Sequence, residues 1–207
     1  WHDLYPELGT DPLPLSVFTS QDQYELEREH IFRKVWIYVC RIEQIPELGD
    51  FFVKDLVVGG TSAIISRDAS GAVTAFHNMC SHRGNKVVWA EHGNATSWTC
   101  KFHGWTYGLD GKLKFVPDEK GFLDLDRACL GLTPINVDAW EGFVFINLDP
   151  TPSESLEEFL GDMAKQLSGY PFAECSATNF SWRGEVSANW KVVKDSFQEV
   201  YHVGCLH

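Results

Sequence analysis

The chain has 207 residues, 44% hydrophobic and 14% aromatic, which is material for a buried core and one to two domains. Twenty-nine Asp and Glu against seventeen Lys and Arg leave a net charge of −12, the opposite of the basic footprint of a nucleic-acid binder. No stretch of about eighteen apolar residues offers a membrane span, and the chain as it begins at Trp1 shows no signal-peptide pattern.

Residues 1–35 read as a Pro-rich extended arm (Pro6, Pro12, Pro14) followed by a helix. Ser20 and Gln23 form a capping-box pattern at its start, and Tyr24, Ile31, Phe32 and Val35 make its apolar stripe. From 36 to 149 the texture changes to short runs rich in Val, Ile, Phe and Tyr between Gly and Asp turns. Strands are expected over 36–39, 50–53, 62–66, 73–77 and 143–147, with Asp110-Gly111 as a hairpin turn between Tyr107 and Leu113. This predicts a small antiparallel β domain whose functional loops hang from two hairpins. His77 is expected at a strand edge or in the core, and His92 in a solvated loop. In the third part, 150–207, Pro150-Thr-Pro-Ser opens a helix with Leu156, Phe159, Leu160, Met163 and Leu167 on one side. A strand near 180–186 then leads to a last helix. The fold class is α+β, with no internal repeat or low-complexity segment.

Two mixed pairs carry the chemistry: Cys80-Ser81-His82, then seventeen residues, then Cys100-Lys101-Phe102-His103. Each half offers one thiolate and one imidazole, which suits a two-iron cluster with two Cys on one iron and two His on the other. A structural zinc site takes the same donors, but zinc motifs space their paired ligands differently and keep Cys with Cys. Four unrelated buried residues is the other alternative, and the flanks argue against it. Arg83-Gly84 follows the first pair and Gly104-Trp105-Thr106-Tyr107 the second, and glycine permits tight turns whose amides point at sulfur.

These two segments resemble the Rieske [2Fe–2S] motif of the ring-hydroxylating oxygenases. Respiratory-chain Rieske proteins have an extra Cys beside each pair, joined as a disulfide; here Asn85 and Phe102 stand in those places, so that bridge is impossible. The resemblance therefore implies the branch fed by a reductase and not by a quinol. It makes Cys80, His82, Cys100 and His103 the cluster ligands, with Trp105 and Tyr107 mostly as packing around them and, secondarily, as a shield from water that tunes potential.

The last nineteen residues, 189–207, hold Trp190, Val193, Phe197 and Val200 or Tyr201 at three- and four-residue steps, an amphipathic helix. Asp195, Glu199 and His202 share another of its faces, and Gly204 breaks the helix so that His202 and His207 turn to one point. Two His and a carboxylate with open positions form the facial triad of non-haem Fe(II) oxygenases, although two His five apart are unspecific by themselves. The segment is similar to the oxygenase family's signature, Asn-Trp-Lys, an acidic residue, then Tyr-His-x4-His. That similarity implies His202 and His207 as ligands of a mononuclear Fe(II), and Glu199 as the carboxylate bridging a neighbouring subunit's cluster to the iron. The third ligand, a carboxylate in the family, is expected beyond His207, so the chain is expected to be the front of a large (alpha) subunit. Asp195 lies about 10 Å along a helix from His202, which suits orienting a ligand and not binding iron.

The resemblance implies the oxygenase component of a multicomponent enzyme. A reductase takes electrons from NAD(P)H and passes them to the cluster directly or through a ferredoxin. The mononuclear iron then uses O2 to hydroxylate an organic substrate, with an aromatic ring the expected class. Aromatic hydrocarbons and acids, amines, terpenoids and steroids stay open, as does mono- against dioxygenation. Head-to-tail homotrimers or an alpha3beta3 assembly are implied, in the cytoplasm. Cys40, Cys129, Cys175 and Cys205 are expected as buried free thiols. A Rieske ferredoxin carrier and a non-redox zinc module remain as rivals.

Overall fold

The computed structural model describes residues 3–9, 11–175 and 184–206. The chain divides into two compact units, Arg28–Ser176, and Trp1–Glu27 with Ala177–His207. The boundaries expected at 35/36 and 149/150 thus differ from the division found.

Within Arg28–Ser176, ten antiparallel strands form three sheets. The first has the order β1 (Trp36–Arg41), β10 (Phe143–Asn147), β9 (Asn136–Trp140). The second has the order β4 (Val73–His77), β3 (Thr61–Arg67), β2 (Asp50–Leu56), β5 (His92–Asn94). The third has the order β6 (Ser97–Thr99), β7 (Thr106–Gly108), β8 (Leu113–Phe115), with Asp110 and Gly111 in the expected turn. His92 is exposed but sits in β5, opposite Phe52, and not in a loop. His77 ends β4, where its Nδ1 meets the Thr61 hydroxyl at 2.9 Å.

The second sheet lies between two cores, which explains the unbroken Ala-Ile-Ile run of β3. Ile64 joins Phe51, Val53 and Phe76 in one core with Cys80, Cys100, Trp105 and Tyr107. Ala63 and Ile65 face the other way, into a core with Val39, Cys40, Val144 and Ile146. A strand covered on both faces needs no polar alternation. In β1 the register against β10 shifts between Tyr38 and Cys40, so Val39 and Cys40 are both buried where alternation would expose one.

Helix α3 (Leu156–Leu167) starts at a complete capping box of Ser155 and Glu158. It buries Leu156, Leu160 and Ala164 against Trp36, Trp140 and Phe145 of the first sheet. This contact places α3 with the β domain. It also corrects the expected stripe, because one helix face meets the sheet and Phe159, Met163 and Leu167 lie outside that contact, partly exposed. The turn Arg28–Phe32 is π-helical, Arg33 N–H reaching Arg28 C=O, so the stripe expected through Ile31 and Val35 is not kept at helical spacing.

The other unit contains α1 (Ser16–Thr19), α2 (Gln21–Glu27), α4 (Trp190–Gln198) and α5 (Val203–Leu206). Ser20 Oγ accepts from Gln23 N–H, but the Gln23 side chain bonds Glu27, so only half of the expected capping box forms. Most of the strand expected near 180–186 lies outside the described residues, and 184–186 is not strand. Among the described residues no helix is long and apolar enough to cross a membrane. Cys40 is buried as expected, but Cys129, Cys175 and Cys205 are exposed because each lies in a surface turn or short helix.

Candidate metal centre

Two turns of the same design present the four donors. In the first, Cys80 N–H donates to Asn85 C=O and Gly84 N–H to Cys80 C=O, each at 2.8 Å. In the second, Cys100 N–H donates to Trp105 C=O at 2.8 Å and Gly104 N–H to Cys100 C=O at 2.9 Å. The glycine is four residues past the cysteine both times, with φ of 71° and 73°, a left-handed conformation that a side chain would strain. The second turn joins β6 to β7, as expected of a hairpin. The first does not: β4 and β5 lie at opposite edges of their sheet, so residues 78–91 cross it. Asn78 anchors that crossing, its Oδ1 accepting from Val87 and Val88 N–H and its Nδ2 donating to Val88 C=O.

The turns bring like donors together. The Cys80 and Cys100 thiols are almost fully buried in the same core and influence one another's ionisation. The His82 and His103 rings are 4.6 Å apart, on the outward side. Burial pushes the Cys80 thiol up. For Cys100 burial pushes the same way, but N–H groups of Phe102 and His103 and the Asn85 and Cys80 side chains outweigh it and the thiol is lowered. Burial, then the His103 and Arg83 charges, lower His82 and favour its neutral, metal-binding form. His82 Nδ1 is buried without a hydrogen-bond partner, as a nitrogen reserved for a metal would be. Among the described residues no three His, Cys, Asp or Glu side chains converge as ligands of a single ion. Two facing pairs with an orphaned ring nitrogen fit a two-metal cluster.

Three residues close around these donors in ways the sequence reading missed. Tyr107, read chiefly as packing, has no exposed surface, and its hydroxyl meets Cys80 Sγ and Ser81 N–H, both at 3.1 Å. Trp105 stacks on His82 at 4.8 Å and 7°. Asn85 Nδ2 donates to Cys100 Sγ at 3.7 Å. A groove of about 410 Å³ runs from His82 and Trp105 past Phe122, Leu123 and Cys129. Only the equal offset of Asn85 and Trp105 from their cysteines was visible in the sequence.

In the other unit, the helix expected to carry Trp190 through His202 and to break at Gly204 is not observed as one piece. Helix α4 ends at Gln198, Glu199 is extended (φ −94°, ψ 147°), and Gly204 lies inside α5 instead of breaking a helix. Asp195, Glu199 and His202 therefore do not share one helical face. The reason is local: the Glu199 carboxylate accepts from Tyr201 N–H at 2.7 Å and His202 N–H at 3.3 Å, capping the next turn, and pairs with His202 Nδ1. His207 lies outside the described residues. The expected apolar face is uncovered, with Phe197 86% and Tyr201 96% exposed, beside a hollow of about 610 Å³ bordered by Glu199 and His202. Asn189-Trp190-Lys191 forms an anchor. Asn189 caps α4 and donates to Phe18 C=O, while Trp190 Nε1 and Lys191 Nζ reach Glu27 at 2.7 and 2.6 Å. Sequence reading missed Glu27, a carboxylate 4% exposed in this unit.

Residues 35–133 match the Rieske [2Fe-2S] domain family. The chain is 34% identical over 210 residues to the anthranilate 1,2-dioxygenase large subunit of Acinetobacter baylyi, covering 99% of this chain and 44% of that one. A solved quaternary ammonium Rieske monooxygenase in complex with gamma-butyrobetaine superposes with a TM-score of 0.85 at 32% identity, over 94% of this chain and 56% of that one. Naphthalene 1,2-dioxygenase with indole bound in the active site gives 0.80 at 32% identity, over 90% and 42%. The chain spans about half the length of the curated relatives it matches. Residues 35–133 thus match the Rieske [2Fe–2S] domain, and the chain as a whole is similar to part of the large subunits of Rieske oxygenases.

Proposed function

We propose that the chain is part of the oxygenase component of a Rieske non-haem iron oxygenase, with Cys80 and Cys100 holding one cluster iron and His82 and His103 the other. The observation that carries this is the pairing of like donors, thiols inward and imidazoles outward, with His82 Nδ1 buried and unpartnered. When bound, the [2Fe–2S] cluster delivers single electrons to a mononuclear Fe(II), which supplies the O2 chemistry that oxygenates an organic substrate. The protein's part is positional. Trp105 and Phe122 flank the His82 ring and fix its orientation. Tyr107 holds the Cys80 loop.

His202 and His207 are proposed as ligands of the mononuclear iron, with a carboxylate from outside these residues as the third. Glu199 is proposed as the bridge toward a neighbouring subunit's cluster. Its pairing with His202 Nδ1 supports the iron end of that role, since a carboxylate on the free ring nitrogen fixes tautomer and orientation. A reductase, directly or through a ferredoxin, is the proposed electron source, and a homotrimer or alpha3beta3 the proposed assembly. Six unpaired cysteines support a reducing compartment such as the cytoplasm. The compared proteins are named for anthranilate, naphthalene and quaternary ammonium compounds. The proposal is therefore an organic substrate, wider than the aromatic one expected.

Metal and sulfide analysis of the anaerobically purified protein tests this. Two irons and two labile sulfides per chain are expected, with a further Fe(II) site that His202→Ala abolishes. Zinc without sulfide would overturn the cluster; a cluster without the further site would leave an electron carrier and overturn the oxygenase.

A further inference from the structure

We propose that Asn85 is a positioning residue of the cluster that ties the two cysteine turns together and raises the reduction potential through Cys100; this rests on the cluster reading above. Asn85 and Trp105 hold equivalent places, each the residue whose C=O receives the N–H of its turn's cysteine, both at 2.8 Å. Each sends its side chain into the opposite turn. Trp105 goes to the imidazole side and stacks on His82 at 4.8 Å. Asn85 goes to the thiolate side, where Nδ2 donates to Cys100 Sγ at 3.7 Å.

One residue therefore contacts both cysteines, Cys80 through its backbone and Cys100 through its side chain. The same Nδ2 donates to Lys86 C=O at 2.9 Å, which fixes the amide with its donor edge toward sulfur. Lys86 is held in turn by an ion pair to Asp55 at 3.0 Å, so the tie is anchored on β2. Tyr107 supplies the reciprocal contact, from the second turn's side to Cys80 Sγ at 3.1 Å. Each buried sulfur thus meets a polar side chain from across the site.

The consequence is electrostatic. Reduction adds one electron, and no bond to Asn85 forms or breaks. An N–H aimed at a ligating sulfur stabilises the more negative, reduced state more than the oxidised one, and burial of Cys100 strengthens the effect. Removing the donor shifts the equilibrium toward the oxidised form.

The test is a reductive titration of the anaerobically purified, cluster-loaded chain, followed by visible circular dichroism, in wild type, Asn85→Ala, Asn85→Asp and Asn85→Gln. Asn85→Ala is expected to weaken reduction about three- to tenfold, a potential lower by about 28 to 59 mV. Asn85→Asp, which sets a carboxylate against sulfur, should fall further, and Asn85→Gln, which keeps an amide donor, should recover part of the loss. An unmoved potential in Asn85→Ala with an intact cluster spectrum overturns the inference. If Asn85→Ala does not assemble, equal potentials in the Asp and Gln variants overturn it. A wild type lacking iron and labile sulfide overturns the cluster reading itself and this inference with it.

Discussion

Glu27→Gln perturbs the anchor of α4 with little change in shape. The carboxylate is 4% exposed and accepts from Lys191 Nζ at 2.6 Å, Trp190 Nε1 at 2.7 Å and Gln23 Nε2 at 3.2 Å. Glutamine keeps one acceptor oxygen: in the Oε1 place it still accepts from Lys191 and Gln23 while its NH2 opposes Trp190 Nε1–H, and in the Oε2 place it keeps Trp190 alone while its NH2 opposes Lys191. The charge beside Lys191 is lost. Charge-assisted hydrogen bonds contribute about 1.5–3 kcal/mol each. The Lys191 side chain retains 22% exposure and stays 5.7 Å from the Phe18 ring and 5.3 Å from the Trp190 ring, which softens the loss. The expected cost is about 2 kcal/mol, or roughly 4–8 °C in Tm for a chain of this size. Burial alone would push the Glu27 pKa up, but bonds from Lys191, Trp190 and Gln23 outweigh it and hold it below the ordinary value. A lowered folded pKa stabilises above the unfolded value, and that contribution disappears as pH falls through the folded one. The gap between wild type and Glu27→Gln should therefore be full at pH 7 and close in acid. Urea unfolding followed by tryptophan fluorescence at several pH values measures it. A gap under about 0.5 kcal/mol at pH 7, or one that widens in acid, would refute the reasoning.

Tyr107→Phe removes the hydroxyl on Cys80 Sγ and should lower the cluster potential by about 40 mV, the equivalent of about 1 kcal/mol of lost hydrogen bonding, in a dye-mediated titration; an unchanged value would mean the hydroxyl only packs. Glu199→Ala removes the cap on the 200–203 turn and the partner of His202 Nδ1, so affinity for added Fe(II) should fall about 10- to 100-fold by isothermal titration. Unaltered affinity with impaired turnover would assign Glu199 to the bridge alone. Ile64→Ala empties a side chain with no exposed surface beside the cysteine turns and should cost about 2–5 kcal/mol in denaturant unfolding; a loss under about 1 kcal/mol would contradict the two-sided burial of β3.

What the sequence determined by itself lies in features the covalent chain spaces locally. The strands at 73–77 and 143–147, the Asp110-Gly111 turn and the two Cys/His pairs all rest on neighbours within a few residues, and each was legible. Tertiary structure decided the contacts that cross the chain. Glu27 meets Trp190 and Lys191 across 163 and 164 residues, and no local pattern marks that carboxylate as buried. Tyr107 reaches Cys80 and Asn85 reaches Cys100 only because β7 and the crossing loop 78–91 are folded against one another. The helix expected through His202 shows the same limit. Its apolar spacing continues past Gln198, but the helix stops there and the Glu199 carboxylate caps the following turn. Residue type and spacing specify what a segment offers; which partner takes the offer depends on packing that brings distant segments within hydrogen-bond range.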